Sequence, residues 1–307
     1  TTCVAIAAVK AGSKCSFTVR KQRFFACLCL ALAASPTIFN NLLQHTTMEF
    51  QNLLINNRGA VRTITINRPS KLNALNHETI SELQVAFDQA REDGSVRVVV
   101  LAGSGEKAFV AGADIAELSA LSAVDAHRFS RAGQRMMRTI ELLGKPVIAR
   151  IQGFALGGGL EIAMSCHLRI GSEKTRLGLP EITLGLLPGF GGTQRMLRLA
   201  GRAATLELCL LGAPVDAQRA YQIGLLGRVV TSDSLDQEVD SVADQLAASA
   251  PHALAGILDA VLVGGEGNSA EGMDYESKAF AVCTTTADMR EGTSAFLERR
   301  KPHFTGA

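Results

Sequence analysis

Two glutamates stand twenty positions apart, and each lies directly behind a pattern that starts a helix or a turn. Glu161 closes the segment Ala155-Leu-Gly-Gly-Gly-Leu-Glu161, and Glu181 follows Leu179-Pro. Because glycine has no side chain, it leaves backbone N–H groups accessible at a helix start, where partial positive charge favours an anionic oxygen. Two carboxylates beside such donors predict an acid–base pair around one bound carbonyl group.

A simpler interpretation is open for each of these features when it is taken alone. Three glycines in a row are also compatible with a flexible hinge, and glutamate in a first helical turn is ordinary capping electrostatics. Neither feature then requires a ligand. The motifs around the two glutamates favour the chemical interpretation.

The elements that must position these residues follow a mixed pattern. Residues 53–55 and 61–66 predict two strands around the turn Asn57-Arg-Gly59, and Asn76 is typical of a helix cap. Further strands are predicted at 96–102, at 146–151, at 168–170 and near Leu177, and a long helix at 123–143. After about residue 233 the pattern is helical. The sequence therefore predicts an α/β core at 48–233, with the active site, and a helical C-terminal oligomerisation region at 234–307.

Charge is distributed unevenly along the 307 residues. The sequence holds 31 basic and 29 acidic residues, and five of the basic residues but no acidic one fall within 1–47. The remaining chain therefore carries 26 basic against 29 acidic side chains, a net charge of −3. This balance gives no support to nucleic-acid binding, because that function needs a basic surface.

The first 47 residues differ from the rest and form an N-terminal extension. Their apolar run, residues 24–34, is too short to span a bilayer. The segment resembles a signal peptide or an organelle transit segment, and a third interpretation is extra translation upstream of Met48. We favour the third, which predicts a cytoplasmic protein with no membrane association; a transit peptide would instead predict the mitochondrial matrix.

Cysteine and histidine positions predict no metal site. Four of the seven cysteines fall within the first 29 residues, and the other three are scattered through apolar stretches. Neither a disulfide framework nor a paired zinc motif follows from this spacing, which favours a reducing compartment. No dinucleotide-binding fingerprint is present either, so no cofactor is predicted.

Six motifs in a fixed order resemble the crotonase (enoyl-CoA hydratase/isomerase) family. They are Arg68-Pro-Ser-Lys-Leu-Asn-Ala-Leu-Asn76, Phe109-Val-Ala-Gly-Ala-Asp-Ile115, Lys145-Pro-Val-Ile148, Gly153-Phe-Ala-Leu-Gly-Gly-Gly-Leu-Glu161, Leu179-Pro-Glu-Ile182 and Leu187-Pro-Gly-Phe-Gly-Gly-Thr-Gln-Arg195. The resemblance runs from about Met48 to Phe304. It implies a spiral of strand–strand–helix (ββα) units, assembly as homotrimers or pairs of trimers, and an acyl-CoA thioester as substrate.

The resemblance also implies roles for individual residues, and most resembles a short-chain enoyl-CoA hydratase. The backbone N–H groups of Ala113 and Gly158 would polarise the thioester carbonyl as an oxyanion hole. Glu161 would mainly activate water and Glu181 would mainly protonate C2 of a trans-2-enoyl-CoA. The remaining substrate-binding positions implied by the motifs are Lys71, Ala111, Asp114, Ile115, Gly157 and Gly189.

Two of these positions, and one histidine, carry more specific expectations. Lys71 is the candidate for binding a CoA phosphate, and Asp114 is expected to fix the oxyanion loop rather than perform chemistry. His167 stands where the family usually has aspartate, and a structural role is expected for it.

Three alternatives to a hydratase with no other function stay open at this stage. One is enoyl-CoA isomerisation on the same fold, which needs one principal base. Another is hydration combined with RNA binding, which the acidic body disfavours. The third is an inactive member used only for assembly, which both glutamates argue against. Acyl chain length cannot be read from the sequence, although parts of 116–126 and Phe190 are expected to wall the tail pocket.

Overall fold

Two β-sheets organise the computed structural model, which describes residues 50–307; the predictions for residues 1–47 lie outside the described residues. The strands are β1 (Leu53–Arg58), β2 (Val61–Ile66), β3 (Val98–Gly103), β4 (Ala108–Val110), β5 (Val147–Ile151), β6 (Phe154–Leu156), β7 (Leu168–Ser172), β8 (Arg176–Gly178), β9 (Val215–Asp216) and β10 (Arg228–Val230). The larger sheet has the order β1-β2-β3-β5-β7-β10, and the smaller one has the order β4-β6-β8-β9. Only the pairs β1–β2 and β8–β9 are antiparallel within these described strands.

The helices cover the sheets and form the C-terminal region. They are α1 (His77–Glu92), α2 (Ile115–Leu118), α3 (Ala123–Glu141), α4 (Gly158–Ser165), α5 (Gly192–Leu211), α6 (Ala217–Gln222), α7 (Leu235–Ala247), α8 (Pro251–Glu266), α9 (Ser269–Cys283) and α10 (Ala287–Leu297). Short 3₁₀ turns lie at Pro69–Lys71, Pro180–Leu184 and Ser232–Ser234. Asn76 caps α1 as predicted, because its side chain accepts a hydrogen bond from the Thr79 N–H.

A strand–strand–helix unit recurs along the chain and confirms the predicted α/β spiral. In each unit one strand joins the larger sheet, the next joins the smaller sheet, and a helix returns the chain. The units are β3-β4-α3, β5-β6-α4 and β7-β8-α5, and the first includes the short α2. Because neighbouring units place equivalent strands side by side, both sheets are largely parallel.

Apolar residues on both faces of the larger sheet explain its burial. On β3 the side chains of Val99 and Leu101 face the main core, while those of Val98 and Val100 belong to a second cluster with Leu235 and other residues of α7. This is the two-residue alternation of a strand buried on both sides. The helix α7 therefore covers the outer face of the sheet.

The smaller sheet decides where the functional motifs meet. Strands β4, β6 and β8 are adjacent and parallel. Their carboxyl ends consequently lie at one edge of the sheet, and the segments after them carry Ala113, Gly158 and Glu181. Three motifs that are distant in sequence thus converge on one edge of the sheet.

The last helices are less covered than the rest. No residue of α8 or α9 is buried, although both carry large apolar side chains. Across residues 50–307 no single helix is long and apolar enough to cross a membrane; a pair bent by 107°, Ser232–Ala247 with Pro251–Glu266, meets those criteria only jointly. The division into a core and an oligomerisation region stays a prediction.

Candidate active site

Glu161 lies in the first turn of α4, as the sequence predicts, and is 1% exposed. All eight residues of this helix are buried, because the glycines before Glu161 let the helix approach its neighbours closely. The cap residue Gly157 has φ of +51°, a conformation that favours glycine. A carboxylate buried this far from solvent needs hydrogen-bond donors or a charged partner to offset the loss of its hydration.

Two backbone donors satisfy the Glu161 carboxylate. Its Oε1 atom accepts hydrogen bonds from the N–H of Phe190 at 2.8 Å and from the N–H of Gly192 at 2.6 Å. Burial, followed by the nearby charge of Glu181, raises the pKa of Glu161 to about 7, although the two backbone donors oppose this rise. The carboxyl is therefore poised to exchange a proton near neutral pH.

Glu181 lies in the 3₁₀ turn after Leu179, against the start of α4. A Cβ atom placed on Gly157 would lie 2.8 Å from Glu181 Oε1, which shows how closely the carboxyl approaches the helix cap. Burial raises the pKa of Glu181 as well. Its Oε2 is the buried side-chain oxygen without a hydrogen-bond partner among residues 50–307. An unpaired buried oxygen of this kind is available to a ligand.

The two N–H groups of the predicted oxyanion hole lie close together. A Cβ atom on Gly158 would be 3.6 Å from the Ala113 nitrogen. In the described part of the chain, neither Ala113 N nor Gly158 N donates to a protein acceptor, whereas the flanking Asp114 N donates to Leu75 O at 2.8 Å. The start of α4 adds the positive end of its dipole. This arrangement can stabilise a developing oxyanion.

One cavity of about 210 Å³ connects these groups. Both glutamates, Ala113 and Gly158 line it, and most of its other walls are apolar. The apolar lining includes Leu118, Ala126, Phe129, Leu184, Leu186, Leu187 and Phe190. An apolar chain with a carbonyl group at one end matches this distribution of groups.

The other predicted substrate-binding residues divide into two groups. Ala111, Ile115, Gly157 and Gly189 line the cavity with the catalytic candidates. Lys71 and Asp114 do not line it. Lys71 is exposed at the end of a 3₁₀ turn. Its positive charge is close enough to Asp114 to help lower the pKa of that carboxyl.

Asp114 is held by neighbouring residues that do not line the cavity. Its carboxylate binds Arg68 at 3.0 Å and caps α2 through the N–H of Ala116. Hydrogen bonding from Arg68 is the main reason that the pKa of Asp114 is lowered. These contacts support the expectation that Asp114 fixes the oxyanion loop.

His167, for which a structural role is expected, bridges two backbone segments. Its Nδ1 accepts a hydrogen bond from the Val147 N–H at 2.9 Å, and its Nε2 lies 3.3 Å from Glu141 O. Burial lowers its pKa, which favours the neutral ring that such an acceptor requires. These contacts support the expected structural role.

The residues that hold Glu161 were not predicted from the sequence. The Phe190 donor belongs to the loop before α5, and the Gly192 donor is the first residue of that helix. Arg195 in the first turn of α5 donates to Phe190 O at 2.6 Å and to Glu141 Oε1 at 2.6 Å. From the sequence, the motif Pro188-Gly-Phe-Gly-Gly is expected to supply Gly189 for substrate binding and Phe190 for the tail pocket. Its glycines were the available signal, because they free backbone N–H groups for a nearby carboxylate.

The ring of Phe190 packs directly against Gly133 of α3, so the importance of this contact can be tested by replacing the glycine. A Cβ atom on Gly133 would lie 2.3 Å from Phe190 Cδ1. We expect Gly133→Ala to lower the free energy of unfolding by about 1–3 kcal/mol, since the buried ring must move. Urea denaturation measures this change. Gly94→Ala is the control, because a Cβ there meets no atom within 4 Å; equal stability of the two variants would contradict the prediction.

Comparison with known proteins agrees with this geometry. The sequence profile of the enoyl-CoA hydratase/isomerase family matches residues 56–307. The short-chain-enoyl-CoA hydratase of Clostridium acetobutylicum is 41% identical over 254 residues, covering 83% of this chain and 97% of that protein. The crotonyl-CoA hydratase of Syntrophomonas wolfei is 40% identical over 257 residues, covering 84% of this chain and 99% of that protein.

Solved structures give the same result. The enoyl-CoA hydratase of Bacillus anthracis superimposes with a TM-score of 0.81 at 36% identity, covering 84% of this chain and 100% of that one. An enoyl-CoA hydratase subunit from Geobacillus kaustophilus also gives 0.81, at 38% identity and with the same coverage. The recognition of the family from six motifs is confirmed, and the chain belongs to the enoyl-CoA hydratase/isomerase family.

Proposed function

We propose that this protein is an enoyl-CoA hydratase, which adds water across the trans-2 double bond of an enoyl-CoA to give a 3-hydroxyacyl-CoA. The observation that carries the proposal is the convergence of two buried glutamates and two neighbouring N–H donors on one cavity. Relatives that are named hydratases, at about 40% identity over nearly their whole length, support the same activity.

The proposed reaction begins with the thioester carbonyl on the N–H groups of Ala113 and Gly158. These donors draw electrons from the double bond and make C3 electrophilic. Glu161 takes a proton from water while the hydroxyl oxygen bonds to C3, and the electron pair released at C2 takes a proton from Glu181. One proton thus leaves Glu181 and one reaches Glu161, so a proton returns from Glu161 to Glu181, with solvent as the carrier, before the next turnover.

The distribution of donors supports this assignment of roles. The Glu161 carboxylate receives two backbone hydrogen bonds, which favour its ionised form and suit a base. Glu181 Oε2 receives none, which suits an acid that carries its proton until C2 becomes basic. Metal ions and dissociable cofactors have no role in the proposed reaction, and CoA enters as part of the substrate.

Activity should depend on the ionisation of Glu161. Because burial raises its pKa to about 7, the base becomes protonated as the pH falls through that value. We expect kcat/KM for crotonyl-CoA to fall about tenfold per pH unit below this point, since the profile reports the free enzyme. Stopped-flow or steady-state rates between pH 5 and 9 would measure it. A profile that stays near its plateau down to pH 5 would contradict the assignment, because a carboxyl with the ordinary pKa of 4.5 is still largely ionised there.

Short acyl chains are the proposed substrates. A cavity of about 210 Å³ is small beside typical ligand pockets of about 300–1,000 Å³. Phe129 and Phe190, each 4% exposed, meet edge to face with ring centroids 5.1 Å apart and form part of its buried wall. Rates with enoyl-CoA thioesters of increasing chain length test this preference directly.

For CoA itself, Lys71 is the proposed phosphate contact.

Self-assembly is proposed for the C-terminal helices. Phe280 is 72% exposed and Phe296 is 84% exposed, and unpartnered aromatic side chains of this size mark an interface. We expect Phe280→Glu and Phe296→Glu to remain folded but to move from a trimer or hexamer towards the monomer. Sizing chromatography with light scattering measures this. Exposed Lys278→Gln, on the opposite face of the same helix from Phe280, is the control, and unchanged assembly of both aromatic variants would contradict the proposal.

The proposed location is the cytoplasm, with the mitochondrial matrix as the alternative. One relative from Arabidopsis thaliana, 36% identical over 288 residues, is named a probable mitochondrial enoyl-CoA hydratase. Fusing residues 1–47 to a fluorescent protein distinguishes the two locations.

A further inference from the structure

The loop that holds Glu161 is itself held from two sides. This clamp loop, residues 188–192, turns two N–H groups towards Glu161 and two carbonyl groups away from it. Gly189 O accepts a hydrogen bond from Gln134 Nε2 at 3.0 Å, and Phe190 O accepts one from Arg195 Nη1 at 2.6 Å. Because a peptide unit is planar, the hydrogen bond to Gly189 O also fixes the Phe190 N–H. The hydrogen bond to Phe190 O fixes the peptide unit between Phe190 and Gly191, which lies between the peptide units that carry the two donors. The orientation of both donors to Glu161 therefore depends on these side chains.

Arg195 is the charged member of this arrangement, and it is well anchored. Its Nε donates to Glu141 Oε1 at 2.6 Å, and the two side chains are only 14% and 16% exposed. Glu141 ends α3 and also accepts a bond from Arg138 at 3.2 Å. The guanidinium is thus fixed in one geometry between α3 and the clamp loop. A partly buried arginine with hydrogen bonds to two separate acceptors is far more rigid than a surface ion pair.

We propose that Arg195, oriented by Glu141, is a positioning residue that keeps the Phe190 and Gly192 donors on Glu161 and so maintains Glu161 as a base. The inference rests on the proposed hydratase function. It adds to that function a second pair of charged residues, outside the cavity lining, on which the state of the catalytic carboxylate depends. Arg195 acts through the backbone of the clamp loop.

The surroundings of Glu161 give the sign of the expected effect. Its titratable or charged neighbours are Glu181, Arg195 and Cys209, and it also receives the two clamp-loop donors. Both the donors and the positive charge of Arg195 lower the pKa of Glu161 against the effect of burial. Loss of Arg195 loosens the donors and removes the charge, so both changes raise the pKa further.

Arginine variants test this proposal through the pH profile. We expect Arg195→Ala to move the acidic limb of kcat/KM up by about one pH unit and to lower kcat about tenfold or more, since small displacements of a catalytic group are costly. Arg195→Lys keeps the charge but loses the paired hydrogen bonds, and should fall between Arg195→Ala and the wild type. The shape-conserving Glu141→Gln, which weakens the anchor, should shift the limb in the same direction.

Arg198→Ala is the matched control, because it removes the same charge one turn along α5 from an exposed side chain. Its profile should coincide with that of the wild type. A lower kcat with an unshifted acidic limb in both Arg195→Ala and Glu141→Gln would show a merely structural role and overturn the proposal. If the wild type itself fails to hydrate crotonyl-CoA, the proposed function fails instead, so the two failures are distinguishable.

Discussion

Replacing Glu161 or Glu181 by glutamine should lower kcat for the hydration of crotonyl-CoA by about 10²-fold or more. Glutamine keeps the shape of the side chain but can neither take a proton from water nor deliver one to C2. Because the oxyanion donors and the apolar walls are unchanged, we expect KM to change far less than kcat. Steady-state kinetics of both variants measure the two parameters.

Glu207→Gln is the control for this pair, since Glu207 is an exposed residue of α5 outside the cavity. It should retain wild-type rates. Folding of Glu161→Gln is not at risk at pH 8. The pKa of Glu161 is raised above its ordinary value of 4.5 to about 7, so its favourable contribution to stability is present below pH 4.5 and lost above pH 7. Near wild-type turnover by either glutamine variant would contradict the two-carboxylate mechanism.

Removal of one oxyanion donor is expected to have a comparable effect. Gly158 is the first residue of α4, a position that accepts proline because its N–H has no partner within the helix. In Gly158→Pro the N–H is replaced by a ring carbon at the place where the thioester oxygen would bind. We expect kcat to fall by about 10²–10³-fold, as for the loss of other oxyanion donors.

Gly158→Ala is the matched control, because it keeps the N–H. Its Cβ would lie 3.2 Å from Phe190 Cε2, so a small adjustment of the ring accommodates it. We expect this variant to lose much less activity than Gly158→Pro. Circular dichroism should show the same helix content in both. Similar activity of the proline and alanine variants would show that the Gly158 N–H does not bind the carbonyl.

Much of the fold could be predicted from local patterns. Asn76, the apolar face of α1, and the hairpin around Gly59 are signals that act over a few residues, and the structure contains β1, β2 and α1 as predicted. The turn is shorter than the predicted Asn57-Arg-Gly59, because Asn57 and Arg58 pair with β2 and extend β1. The spiral arrangement needed the family resemblance. Strands of two to six residues in two different sheets look alike in sequence, and no local pattern indicates which sheet a strand joins.

The candidate site shows the same division between local and distant signals. The sequence places Glu161 behind a glycine-rich helix start, and the structure brings it to the cavity with Glu181. The Arg195–Glu141 pair spans 54 positions and is made by two side chains that look like ordinary members of helical surfaces. The role of the Phe190 and Gly192 N–H groups could not be predicted either, since almost every residue type carries a backbone N–H.

The central claim is that this cavity adds water to C3 of an enoyl thioester. Incubation of the wild-type protein with crotonyl-CoA in isotopically labelled water, followed by mass spectrometry of the product, tests it most directly. We expect a 3-hydroxybutyryl-CoA that carries the labelled oxygen at C3 and a solvent-derived hydrogen at C2. A product that has gained no oxygen, such as a positional isomer of the double bond, or an unchanged substrate, would contradict it.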